Sequence, residues 1–193
     1  MDRKALKTAA RQAIEGKIWV LLAIYILVMI VSSALSYVTF GAGAILISGG
    51  VSLSFSTIFL AIVIHGKKPK VEDIMIGFKD GNFGRGFVGY IRYTVFVCLW
   101  TLLFVIPGIV KSLAYSQMFF IMADDKKIDA GDAQKKSIEM MDGHKGEYFV
   151  LGLSFIPWYL LVGITFGLAA IWVGPYVEAT FANYYLALKK VKK

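Results

Sequence analysis

The sequence predicts an all-α membrane protein of about six transmembrane helices. They form three tandem units, each an amphipathic interfacial helix followed by a helical hairpin, with both termini cytoplasmic. Three observations lead there. Of 193 residues, 58% are hydrophobic and the mean hydropathy is +0.66, far above the usual globular share. Apolar runs long enough to cross a hydrocarbon core of roughly 30 Å begin at Ile18, Val88 and Tyr148, each trailed by a shorter run. Finally, one phrase is written twice, IGFKDGNFGRGFV at 76–88 and IEMMDGHKGEYFV at 138–150, at an offset of 62 residues.

The net charge of +8 follows the same plan. Nineteen of the 21 basic residues fall in four segments between the apolar runs, at 1–17, 66–86, 124–147 and 189–193, whereas the links TFGAG, PG and GP are nearly uncharged. By the positive-inside rule this puts both termini and both long loops in the cytoplasm. A nucleic-acid surface wants basic residues interleaved with aromatics on a soluble face, so no nucleic-acid partner is expected. The single cysteine, Cys98, lies in an apolar run and leaves no disulfide framework or CxxC metal site. Residues 18–31 followed by SSALS faintly resemble a signal peptide, but the run continues to Val38 and the downstream charge pattern needs it retained.

The units read as 1–70, 71–127 and 128–193 within one integral membrane domain. Each opens on a stretch with helical apolar spacing. In the first, Leu6, Ala9, Ala10, Ala13 and Ile14 oppose Arg3, Lys4, Lys7, Arg11 and Glu15. In the second, Val71, Ile74, Met75 and Phe78 oppose Glu72, Asp73, Lys79 and Asp80, and in the third, Ala130, Ala133, Ser137, Ile138 and Met141 oppose Asp132, Lys135, Lys136 and Glu139. Short one-sided helices of this kind lie in the interface plane. Gly16, Gly81 and Gly143 follow them, where a helix turning into the bilayer needs a left-handed stop. Trp19, Phe87 and Phe149 then serve as headgroup anchors. Each apolar run is next broken, at Gly49-Gly50, Pro107-Gly108 and Gly174-Pro175, and closes on a lysine pair. A two-crossing unit returns to its starting side, so the copies are parallel, around an axis along the membrane normal. Return helices of 15 residues rise only about 22 Å, so they either begin before the breaker or thin the bilayer.

Ionisable residues inside a span are functional candidates, and three stand out. Arg92 lies about five residues into its helix, placed either to snorkel to headgroups or to line a polar cleft. Lys111, four residues after Pro107, and Glu178, three after Pro175, stand at equivalent points in units two and three, either as plain interfacial residues or as a pair closing one end of the bundle. The histidines, His65 and His144, have no HExxH or carboxylate cluster around them. No GxSxG elbow or GxxxxGK[ST] loop occurs, so no catalytic residue, cofactor or metal is called for.

At IPGIVKSLAYSQMFFIMADD, SIEMMDGHKGEYFVLGLSFIPWYLL and GPYVEATFANYY, the chain resembles an uncharacterised family of bacterial multi-pass membrane proteins, domain of unknown function 975. The likeness runs through most of the chain, most densely from Gly86 onward. It implies a bacterial plasma membrane and brings no activity with it. The expected role is non-enzymatic: a helical bundle whose basic surface helices hold anionic inner-leaflet lipid or a protein partner. The alternative is a small transporter, channel or immunity-type resistance component with a central polar cleft. A small solute and a second copy of the chain, as a homo-oligomer, stay open as partners.

Overall fold

A computed structural model describes residues 2–79, 81–165 and 167–191, which are helical without strands. Asp80, counted above on a polar face, and the last two lysines, Lys192 and Lys193, lie outside the described residues. The first amphipathic helix is α1 (Arg3–Ile14), started by Asp2, whose carboxylate accepts from the Lys4 amide at 2.9 Å. The chain then runs out along α2 (Ile18–Val38) and returns along α3 (Ala42–His65). A 3₁₀ segment (Val71–Phe78) leads to outbound α4 (Asn82–Leu103), whose return is split into α5 (Val105–Tyr115) and α6 (Met118–Asp124). After α7 (Ala130–Met140), the outbound leg is α8 (Lys145–Leu153) and α9 (Ile156–Ile164), and the return is α10 (Ala170–Val191).

Five legs are long and apolar enough to cross a membrane: Ile18–Val38, Ala42–His65, Asn82–Leu103, Val105–Asp124 and Lys145–Ile164. The sixth, α10, has 22 residues and the length, about 33 Å, but carries Glu178 and three tyrosines. Burial explains the difference. Only 11% of each outbound window is buried, against 50% for α3 and 44% for the α5–α6 leg, and ten residues of α10 are buried. An outbound leg meets lipid and must be apolar all round, whereas a return leg meets protein and needs only to fit.

The amphipathic segments cover the return legs in a fixed order. The 3₁₀ segment packs on α3, α7 on α5 and α6, and α1 on α10, so the first unit closes against the last. Their buried residues are Leu6, Ala10 and Ile14 in α1, and Ala130, Ala133, Gln134, Ser137 and Met140 in α7. The second segment departs from the expected α-helix: Ile74 and Gly77 are buried while Val71 and Met75 are 40% and 46% exposed. A Cβ at Gly77 would lie 1.9 Å from the Gly50 carbonyl oxygen, so the backbone itself is the contact and the tighter three-residue repeat serves it. At the three entries into the bundle, Gly16, Gly81 and Gly143 have φ of 70°, 76° and 78°. A Cβ there would meet nothing within 4 Å, so conformation and not crowding favours glycine.

The hairpin tips differ from the sequence expectation in the first and third units. Gly49-Gly50 lie inside α3 and Gly174-Pro175 inside α10; none of them is a turn. The chain reverses instead around Thr39-Phe40-Gly41 and between Thr165 and Gly167. In each the threonine hydroxyl donates to the carbonyl four residues back, at 2.6 Å (Leu35) and 2.8 Å (Leu161). It also accepts from the amide four ahead, at 2.6 Å (Gly43) and 3.0 Å (Ala169). Pro107 and Gly108 do sit by a break, in the first turn of α5 after extended Phe104, where a missing N–H costs nothing. The return legs thus begin before the supposed breakers, which removes the shortfall in length.

Glycines inside the return legs mark close approach. A Cβ at Gly49 would lie 2.2 Å from the Gly86 carbonyl oxygen, where α3 crosses α4, and one at Gly174 2.8 Å from the Tyr25 ring of α2. Gly49→Ala is therefore expected to destabilise the detergent-solubilised protein by about 1–3 kcal/mol through overpacking. At Gly84 a Cβ meets nothing within 4 Å, and Gly84→Ala should be neutral or stabilising by up to about 1 kcal/mol. Equal unfolding midpoints for the two variants would rule out the tight crossing.

Candidate functional site

The three return legs meet around a cavity of ≈ 310 Å³. Ser52, Phe55 and Ser56 reach it from α3, Ser116, Phe119 and Phe120 from the α5–α6 junction, Glu178 and Phe181 from α10, and Tyr148 from α8. Helical repeat aligns them, since residues three or four apart share a face. At the junction the Ser116 hydroxyl donates to the Leu113 carbonyl at 2.8 Å and accepts from Gln117 Nε2 at 2.9 Å. The Gln117 side chain is fully buried, and its Oε1 lacks a hydrogen-bond partner. Neighbouring rings brace the chamber's aromatics from behind: Tyr25 on Phe55, with ring centroids 4.8 Å apart, and Tyr185 on Phe120, at 5.7 Å. On the wall itself, the rings of Tyr148 and Phe181 lie 5.0 Å apart.

Glu178 also lines a second cavity, of ≈ 360 Å³, between α2, α9 and α10, with Tyr25, Tyr159 and Gly174 on its wall. Among the described residues no hydrogen bond or ion pair reaches its carboxylate. The pairing with Lys111 read as one option from equivalent points in the two units is not formed: Lys111 Nζ lies 4.7 Å from the centroid of the Trp100 ring, within its own hairpin. Arg92 takes neither of its two anticipated places. Its Nε and Nη2 donate to Gln134 Oε1 at 3.2 and 3.0 Å, so it tethers outbound α4 to the amphipathic helix α7. The structure therefore brings one of the three candidates, Glu178, to the centre of the molecule.

Several site-forming residues lay outside the sequence reading. Arg85 grips the loop after α6, its Nη2 donating to the carbonyls of Asp125 at 2.9 Å and Ile128 at 2.8 Å, and its Nε to Ile128 at 3.1 Å. The Ser54 hydroxyl donates to the Ile74 carbonyl at 2.6 Å and accepts from the Gly77 amide at 2.8 Å. Ser137 does the same across the next unit, donating to Ala114 at 2.7 Å and accepting from the Gln117 amide at 3.2 Å. On α1, Lys7 Nζ donates to the Ser154 carbonyl at 3.0 Å and sits 4.2 Å from the Phe155 ring centroid. Burial there, followed by the nearby Arg3 charge, holds the Lys7 ammonium below the usual lysine pKa.

Five helical legs long and apolar enough to cross a membrane define a helical multi-pass membrane protein. The chain belongs to the family described as Protein of unknown function (DUF975), whose model matches residues 1–111 and 95–192. No curated protein matches, and no solved structure does.

Arg85 supplies three donors to carbonyls that no helix satisfies. Arg85→Ala is expected to lower stability by about 0.5–1.5 kcal/mol, the net worth of hydrogen bonds whose acceptors on this part-exposed loop can turn to water, and to speed proteolytic cleavage between residues 124 and 129. Lysine at this position should rescue little, because a point ammonium cannot reproduce the forked guanidinium. Cleavage at the wild-type rate in Arg85→Ala would show that the clamp does not hold the loop.

Proposed function

We propose that this chain is a non-enzymatic protein of the bacterial cell membrane that crosses it six times in three tandem units. Both termini are cytoplasmic, and a basic collar there holds anionic lipid of the inner leaflet. One observation carries the reading: the amphipathic segments turn apolar residues onto the inner helices and lysines outward. In α7, Ala133, Ser137 and Met140 are buried while Lys135 and Lys136 are exposed, and the Lys135 side chain is 75% exposed. Lys67, Lys68, Lys79, Lys126 and Lys127 are likewise exposed. Each such cation near a membrane surface contributes about 1 kcal/mol toward anionic lipid, so a collar of them outweighs any single headgroup contact. The closure of α1 on α10 and the burial of every return leg support the sixth crossing and the shared orientation of the units.

A second reading, a small transporter or immunity-type component, is favoured by the axial chamber and the unpaired Glu178. It expects Glu178→Ala to abolish solute flux in proteoliposomes and Arg92→Ala, which acts on α7, to spare it; flux unchanged in Glu178→Ala removes this reading.

For the collar, Lys135→Glu with Lys136→Glu should weaken retention of phosphatidylglycerol on the purified protein at least about tenfold, since about 1 kcal/mol is at stake per charge. Retention of phosphatidylcholine should not change. The wild-type preference should fade as salt rises above about 0.1 M, where the screening length falls to about 10 Å. A preference that survives charge reversal would defeat lipid binding by the collar. A C-terminal tag labelled from outside intact cells would defeat the orientation.

A further inference from the structure

The axial chamber combines a carboxylate without a partner, hydroxyls on more than one helix, and braced aromatic faces. We propose that it is a binding site for an organic ammonium ion, with Glu178 as counter-ion, Phe181 and Phe55 as ring walls, and Ser52, Ser116 and Tyr148 as polar contacts. Its lining residues come from all three return legs, so it is a property of the assembled bundle and not of one helix. It does not depend on lipid binding by the collar, nor on the chamber conducting anything.

Charge decides the ligand's sign. A carboxylate inside a helical bundle is costly unless an opposite charge or donors meet it. Four basic residues of the helices are engaged elsewhere: Arg92 with Gln134, Lys111 over Trp100, Lys7 with Ser154 and Arg11 over the Tyr176 ring. An anion is excluded by Glu178 itself. A bare metal ion is a poor fit, because the wall offers a single carboxylate and no group of three or more acidic, histidine or cysteine ligands forms among the described residues. Aromatic faces attract alkylated ammonium groups through the ring quadrupole, and desolvation strengthens the attraction. The cavity of ≈ 310 Å³ admits a ligand of choline size within the usual range of small-molecule sites. Position adds an entry route, because Glu178 also lines the second cavity, beside Tyr25 and Tyr159 between α2, α9 and α10.

The same ammonium chemistry is carried by free amines and by the headgroup of an aminolipid such as phosphatidylethanolamine. The test uses the full chain in detergent, titrated with tetramethylammonium and with sodium, followed by tyrosine and tryptophan fluorescence and by thermal unfolding. Tetramethylammonium should bind and raise the unfolding temperature, as any ligand selective for the native state does, and sodium should not. Glu178→Gln, which keeps size and shape, should weaken binding at least tenfold. Ser52→Glu placed in the Glu178→Gln background moves the charge across the same chamber and should restore binding. Phe181→Ala keeps the carboxylate and should weaken tetramethylammonium more than unsubstituted ammonium, so the site stays testable even where Glu178→Gln fails to fold. In nanodiscs of phosphatidylglycerol, added phosphatidylethanolamine that displaces the probe identifies the headgroup as the occupant, and no displacement identifies a free amine. Wild-type protein that binds tetramethylammonium no better than sodium overturns the proposal. Glu178→Gln or Phe181→Ala protein that binds it unchanged does so as well.

Discussion

A helix with one apolar face cannot leave that face bare, and the structure depends on where each such face goes. None is buried on its own hairpin alone. The 3₁₀ segment lies on α3, α7 on the α5–α6 leg and α1 on α10, so every unit is covered by the next and the last by the first. Apolar burial drives this at about 25 cal/mol per Å² but does not fix register, because apolar contact is non-directional. Register comes from two hydroxyls. Ser54, on a return leg, satisfies a carbonyl and an amide of the 3₁₀ segment. Ser137, on an amphipathic helix, satisfies a carbonyl and an amide at the break between α5 and α6. The same chemistry is owned by opposite partners, and both freed backbone groups are met each time.

Ordering the units in this way sorts the helices by environment. Outbound legs stand outside and return legs inside, a division visible in burial of 11% against 50% and 44%. Lipid supplies no hydrophobic drive between helices, so the inner ring coheres by close packing and hydrogen bonds. The Phe120 and Tyr185 rings, stacked 5.7 Å apart between α6 and α10, provide such packing within the ring, and Gly49 against Gly86 fastens α3 to outbound α4. The composition of α10 follows: enclosed by protein, it carries Glu178 well inside the helix, whereas the carboxylate of the outbound legs, Glu147, sits in the first turn of α8.

The outer architecture was legible because lipid imposes a composition, and a run such as 18–38 has no other reading. The turn glycines were legible too, since a left-handed stop leaves few alternatives to glycine. The hairpin tips were not. Gly49-Gly50 and Gly174-Pro175 read as punctuation, yet the same residues serve close approach inside a helix. The tips were written instead as Thr-Phe-Gly at 39–41 and 165–167, a repeat whose meaning lies in threonine hydrogen bonds that no periodicity reveals. Matching Lys111 to Glu178 failed for the same reason: Pro107 opens α5, whereas Pro175 lies within α10, so similar distances from a proline are not equal places in the fold. Arg85 and Gln134 meet partners some 40 residues distant, beyond the reach of any local pattern.

Two carboxylates separate what the fold requires from what it carries. Asp124, at the C-terminal end of α6, accepts from the Tyr185 hydroxyl at 2.9 Å and pairs with Lys189. That carboxylate joins α6 to α10, and its charge is answered on the spot. Glu178 lies on the same α10, two turns earlier, and joins nothing. A core built for stability alone would place an apolar side chain there, as replacement of buried charge in other proteins is often neutral or stabilising. The Asp124 cluster already joins two of the inner helices without it. The carboxylate is therefore a cost that the packing does not explain, borne at the one point where all three return legs converge.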